Sequence, residues 1–168
     1  MQTVPFAYYN RLSRRRQKTY RQSDAVEVIR LPVDHGLESS VGRLVAALSG
    51  EDQRQVTALS REIALGICAS LAAPAVRVRV LARRPSNDRE ELHGLYDPVD
   101  DNRPAEITVW MRTARRRQVV AFRTYLRTLL HELCHHLDYE YLNLDESFHT
   151  AGFYKRESSL FRQLVIDD

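Results

Sequence analysis

Two histidines four residues apart flank a glutamate in segment 131–135, whose sequence is HELCH. This is the H-E-x-x-H pattern of zinc metallopeptidases. On a helix, His131 and His135 lie one above the other, so both imidazoles can reach one metal ion. Zinc lowers the pKa of a bound water to about 7, and Glu132 projects beside the pair where it can take a proton from that water. The pattern therefore predicts a Zn²⁺ site with a general base next to it.

This chemistry requires the motif to be helical, and the flanking sequence has helical periodicity. Apolar residues recur there at three- and four-residue spacing. They are Val119, Phe122, Leu126, Leu129, Leu130, Leu133 and Leu137. At about 100° per residue, this stripe is centred almost opposite His131 and His135. We therefore expect the stripe to pack in the core while the histidines face a cleft or solvent. Cys134 is expected to be a small packing residue, and His136 is not expected to bind the metal.

A catalytic zinc needs three protein ligands and an open position for water. The next histidine in the sequence is His149, and the residues between it and His135 include turn formers. The competing candidate is Glu157, on a helix predicted from about residue 152 to 164. Both remain candidates for the third ligand, with His149 preferred. Asp138 is expected to be either a partner of a ligand or a solvated side chain.

Segment 131–160, HELCHHLDYEYLNLDESFHTAGFYKRESSL, resembles the active-site segment of SprT-like (Spartan-like) zinc metalloproteases. In that family H-E-x-x-H is followed by a third histidine, small residues, an aromatic residue and a helix, and segment 149–153 fits this order. The resemblance implies that His131, His135 and His149 bind zinc and that Glu132 is the general base. It covers about the last third of the chain and, more loosely, the two strands before it. No cysteine-rich zinc ribbon follows the motif here, which leaves the substrate open.

The elements before the motif predict an α+β domain. Helices are expected at 37–48 and 52–72, and strands at 76–81, 92–96 and 107–111. Together with the resemblance, this order predicts a zincin-like domain: N-terminal helices, a small three-stranded antiparallel or mixed sheet, the motif helix and a C-terminal helix. The strand just before the motif helix is expected to offer an edge beside the metal, to which an extended peptide could add.

Length and composition are those of one soluble domain. The chain has 168 residues, 43% of them hydrophobic and 28% charged. Its two cysteines, Cys68 and Cys134, both fall in predicted helices, which is typical of a reducing compartment. The sequence has neither a signal-peptide pattern nor an apolar run of about 20 residues. We therefore expect a cytoplasmic protein with no membrane partner.

Residues 1–30 are basic, with tyrosines interleaved. Such a segment can bind a nucleic-acid backbone and stack bases, or it can be a solvated, partly ordered arm. The net charge of +3 does not demand a polyanionic partner. We divide the chain into this basic N-terminal arm, 1–30, and a single zincin-like domain, 31–168. Nucleic acid is a candidate partner of the arm.

Further residues could assist the reaction or bind substrate. His93, Tyr96 or Tyr154 could stabilise the oxyanion that forms when water attacks a peptide carbonyl. The arginines at 115–117 could steer an acidic substrate, although a solvated charge run has the same appearance.

Three functions are consistent with these residues. The first is a zinc-dependent endopeptidase acting on protein or peptide substrates. The second is a non-catalytic, zinc-stabilised module, nucleic-acid-associated or regulatory, whose metal would be closed by a fourth ligand such as Glu157. In the third, the motif binds no metal.

Overall fold

A computed structural model gives the fold of the chain and describes residues 4–83, 94–112 and 118–166. Within these ranges the protein is α+β, with five α-helices and one three-stranded sheet. The helices are α1 (Arg14–Ala25), α2 (Glu38–Ser49), α3 (Gln53–Ser70), α4 (Phe122–Glu140) and α5 (Ala151–Leu164). The strands are β1 (Arg77–Leu81), β2 (Gly94–Asp97) and β3 (Glu106–Trp110), and a short 3₁₀ helix, Ala7–Arg11, precedes α1. The expected order of elements is confirmed at this coarse level.

The sheet is mixed, with strand order β1-β3-β2. β1 pairs with β3 in parallel, and β2 pairs with β3 antiparallel. The expectation of an edge at the strand just before the motif helix is wrong, because β3 is the central strand. The reason lies in its composition: residues 107–110 are all buried, as is typical of a strand covered on both faces. The open edge near the motif is provided by β2.

Helix α3 packs against β1 of the sheet, α2 packs against α3, and both helices contribute to the core. Val56, Ile63 and Ile67 on α3 are completely buried. Side chains of the same helix also cover the outer edge of β1, because Arg61 donates to the carbonyl of Val78 and Gln53 donates to that of Val80. Among the described residues, none of the helices combines the length and apolarity needed to cross a bilayer.

The apolar stripe of the motif helix is buried as predicted. Leu126, Leu129, Leu130, Leu133 and Leu137 of α4 are completely buried. Val119 and Phe122, at the N-terminal end of the stripe, are partly buried against the same core, and Cys134 packs with the leucines. The opposite face of α4 therefore presents the two motif histidines to the protein surface.

The basic N-terminal segment is folded onto the domain. Tyr20 of α1 is only 1% exposed, and α1 lies against α5. The interpretation of this segment as a solvated arm is therefore wrong for α1, because Tyr20 packs against Phe148 and Ser23 bonds to Thr150 at the start of α5. Nucleic-acid binding by its exposed basic side chains stays a prediction.

Candidate metal centre

Three histidines converge on one point at the protein surface. His131 and His135 come from α4, and His149 comes from the loop that connects α4 to α5. One ring nitrogen of each lies within 4.8 Å of the others. The Nε2 atoms of His135 and His149 are 2.9 Å apart, close to the separation of about 3.3 Å between two ligands of one tetrahedral zinc. The cluster can therefore hold a metal ion.

The loop that carries His149, residues 141–150, is short and fixed at both ends. At its start Asn143 adopts a left-handed conformation with φ of 54°, which asparagine tolerates better than most residues. The amide of Leu144 then donates to the carbonyl of Asp138. At its end, the side chain of Thr150 caps α5 by accepting from the amide of Phe153. These turns bring His149 back over α4.

Glu157 contacts the outer nitrogen of His131. Its Oε1 lies 2.7 Å from Nδ1 of that histidine. A carboxylate on one ring nitrogen fixes the tautomer and leaves the other nitrogen with a lone pair for a metal. In this geometry Glu157 is a partner of His131, on the side of the ring away from the Nε2 atom.

His135 has a comparable partner in Ser147. The Ser147 hydroxyl lies 2.6 Å from Nδ1 of His135 and donates to Asp138 at 2.7 Å. Asp138 also forms an ion pair with Arg156 at 3.0 Å, in which both side chains are fully buried. Asp138 is thus a buried support for a histidine, which is one of the two roles expected for it.

His136 is fully occupied elsewhere. Its Nε2 lies 2.7 Å from the carbonyl of Pro74, and its Nδ1 lies 2.9 Å from the hydroxyl of Tyr96. With both ring nitrogens engaged in the core, His136 has none left for a metal. The expectation that it is not a ligand agrees with this position.

Glu132 lies beside the cluster and is 7% exposed. Burial raises the pKa of its carboxyl to about 7, with a further rise from Glu157 and an opposing effect of His131. Such a pKa suits proton transfer at neutral pH. β2 passes next to this carboxyl, since a methyl group at Gly94 would lie 2.9 Å from Cγ of Glu132.

Desolvation within the cluster keeps histidines neutral. It lowers the pKa of His135 to about 3, helped by its neighbours His131 and His149. It also lowers the pKa of His149, with His131 adding to the effect. Neutral imidazole is the form that binds a metal. At neutral pH each of these two rings therefore keeps one unprotonated nitrogen, whose lone pair is available to a metal ion.

A cavity of about 760 Å³ opens next to the histidines, a size typical of ligand sites. Its walls come from β2, α4, the 141–150 loop and α5. They include the three histidines, Glu132, Thr124, Thr128, Arg127, Leu95, Tyr96, Tyr139, Ser147, Tyr154 and Glu157.

The two described tyrosines that were predicted to stabilise an oxyanion differ in whether their hydroxyls are free to contact a substrate. Tyr154 is 42% exposed on the cavity wall, and its ring centroid lies 5.7 Å from that of His149. Tyr96 stacks on His135, but its hydroxyl is bonded to His136. His93 and the arginines at 115–117 lie outside the described residues.

Comparisons with protein-family models, with curated proteins and with solved structures gave no match. The resemblance to SprT-like metalloproteases therefore rests on segment 131–160 and stays a prediction.

Sequence reasoning missed Ser147, Arg156 and Gly94. Arg156 carried a readable signal, because it falls on the apolar stripe of α5 between Phe153 and Leu160. An arginine in such a position indicates a buried ion pair. Ser147 and Gly94 carried no comparable signal, since their roles depend on which residues from other elements lie beside them.

Proposed function

We propose that the protein is a zinc-dependent endopeptidase of the zincin type. The observation that carries this proposal is the position of Glu132, a nearly buried carboxyl with a pKa near 7 beside three converging histidines on a cavity wall. A purely structural metal site has no need of a titratable acid at that place, whereas hydrolysis does.

Three histidines would hold the metal: His131, His135 and His149. When bound, zinc acidifies a water molecule and polarises the scissile carbonyl. Glu132 accepts a proton from the attacking water and returns it to the departing amine. Tyr154, on the same wall, would donate a hydrogen bond to the oxyanion.

The geometry also supports an extended peptide as substrate. Within the described residues β2 is paired only along the edge that faces β3, and Gly94, Leu95 and Tyr96 of β2 line the cavity. A peptide that added to the free edge of β2 would run past the histidines.

A non-catalytic zinc module is the alternative. Such a site should be closed by a fourth protein ligand. Glu157, the obvious candidate, is instead bonded to the outer nitrogen of His131. This arrangement favours an open site, and therefore catalysis.

Metal content and proteolysis test the proposal together. Elemental analysis should find about one zinc in the wild type, in Glu132→Gln and in Glu157→Ala, and a large loss of zinc in His149→Ala. Cleavage of an unfolded protein, followed by mass spectrometry with and without DNA, should be at least about 100-fold slower in Glu132→Gln.

Each negative result has a separate meaning. A Glu132→Gln variant that cleaves at the wild-type rate would contradict the enzyme assignment. Zinc without cleavage would leave the non-catalytic module, and absence of zinc from the wild type would mean that the motif binds no metal.

A further inference from the structure

Residues 7–25, which we call the N-terminal clamp, lie against the loop that carries His149. We propose that this clamp fixes the position of His149, so that metal affinity depends on residues about 130 positions earlier in the chain. The part that concerns metal rests on the proposed function, whereas the part that concerns the loop does not.

The clamp binds the backbone of His149 directly. The hydroxyl of Tyr8 donates to the carbonyl oxygen of His149 at 3.0 Å. The preceding residue, Phe148, packs against the rings of Tyr8 and Tyr20, with centroid distances of 6.4 and 6.1 Å. The ligand is therefore held through its own peptide group and through its neighbour.

Charged residues of the clamp bind the same loop. Arg16 forms two parallel hydrogen bonds with Glu146, both of 2.9 Å, and its guanidinium lies 5.3 Å from the ring centroid of Phe148. Arg15 lies 3.4 Å from Asp145. A bidentate arginine fixes orientation as well as distance. Two of the basic residues that suggested nucleic-acid binding thus pair within the protein.

The end of α1 meets the start of α5 immediately after His149. The hydroxyls of Ser23 and Thr150 share a hydrogen bond of 3.0 Å, and the amide of Gly152 donates to Asp24 at 2.9 Å. A methyl group at Gly152 would lie 2.6 and 2.7 Å from the carbonyl oxygens of Asp24 and Ser23. The two backbones are so close that only glycine fits.

His149 therefore lies between two groups of residues that the clamp holds, 145–148 before it and 150–152 after it. A ligand on a free loop would lose conformational entropy when it bound metal. A loop that is already held in position avoids much of this cost, which raises affinity.

Reversing the charge of Arg16 tests the clamp without touching any histidine. The variants are Arg16→Glu, Glu146→Arg and the double exchange, and Arg14→Glu is the matched control. Arg14 is on the same helix, is exposed and has no side-chain partner among the described residues. Arg16→Glu and Arg14→Glu lower the net charge by the same amount, Glu146→Arg raises it by that amount, and the double exchange leaves it unchanged, so long-range electrostatic effects can be subtracted.

Two readouts are needed. Zinc affinity, from competition with a chromophoric chelator, should fall about fivefold in Arg16→Glu, stay within about twofold in Arg14→Glu, and regain more than half of the loss in the double exchange. Hydrogen–deuterium exchange of segment 144–152 in zinc-free protein should rise in Arg16→Glu and return in the double exchange.

If Arg16→Glu and Arg14→Glu have the same zinc affinity and the same hydrogen–deuterium exchange, the proposal that the clamp fixes His149 is wrong. If the wild type binds no zinc, the proposed function fails, and the exchange of segment 144–152 alone decides whether the clamp holds the loop. Should Arg16→Glu unfold, Tyr8→Phe removes only the hydroxyl that reaches His149, and it should still raise exchange in segment 144–152; unchanged exchange would count against the clamp.

Discussion

The hydroxyl of Ser147 lies 2.6 Å from Nδ1 of His135 and donates its only proton to Asp138. Nδ1 must therefore be the donor to Ser147, which places the lone pair of the neutral ring on Nε2. Nε2 is the atom that faces His149. The buried ion pair of Asp138 with Arg156 keeps the acceptor in place.

Replacing Ser147 by alanine should weaken zinc binding about tenfold, a typical effect of removing the partner of a metal-binding histidine. The ring of His135 would lose its donor contact and the tautomer that this contact selects. Ser147→Thr keeps the hydroxyl and serves as the control. Affinities from chelator competition give the comparison, and equal affinities of Ser147→Ala and wild type would show that the contact does not orient His135.

Gly94→Ala should impair catalysis while zinc stays bound. The added methyl group would lie 2.9 Å from Cγ and 3.1 Å from Oε1 of Glu132, so this side chain, the proposed general base, must move. A displacement of about 1 Å costs on the order of 100-fold in rate.

Gly42→Ala is the matched control for that change, because the added methyl group has nothing within 4 Å. It should leave activity unchanged. Steady-state kinetics combined with zinc analysis separates the cases. Loss of zinc from Gly94→Ala, or an unaltered kcat/KM, would mean that β2 does not position Glu132.

Whether the sequence predicts a feature of this structure depends on how far apart in the chain the interacting residues are. The leucine stripe and the direction of His131 and His135 follow from local periodicity, and both are confirmed. The central position of β3 does not follow, because strand order arises from pairing between distant segments. The position of α1 does not follow from local pattern either, because Arg16 and Glu146, whose ion pair helps to define it, are 130 residues apart.

The two tyrosines of the cavity should respond differently to loss of their hydroxyls. Tyr154 is exposed beside the histidines, and among the described residues its hydroxyl has no hydrogen-bond partner. Burial raises its pKa, followed by an effect of Glu157, so it stays a protonated donor at neutral pH. Tyr154→Phe should lower kcat about 100-fold, since one oxyanion donor contributes on that order.

Tyr96→Phe should instead lower stability, because the Tyr96 hydroxyl is bonded to buried His136. A lost buried hydrogen bond costs about 1 kcal/mol, measurable by urea unfolding. Comparison of kcat and of unfolding free energy in the two variants assigns the roles. A larger loss of kcat in Tyr96→Phe than in Tyr154→Phe would mean that Tyr96, and not Tyr154, is the oxyanion donor.

The stability of zinc-free protein should depend on pH through Glu132. Its pKa rises from 4.5 in the unfolded chain to about 7 in the fold, so the folded state binds the proton more tightly and loses stability as pH rises between these values. Glu132→Gln cannot ionise. The free energy of unfolding of Glu132→Gln, relative to that of the wild type, should therefore increase by about 3 kcal/mol from pH 4.5 to pH 8.

Titrations of the histidines occur in both proteins and largely cancel in this difference. Urea unfolding of chelator-treated proteins at several pH values measures it. A difference that stays constant with pH would mean that the Glu132 carboxyl is not held in a desolvated position.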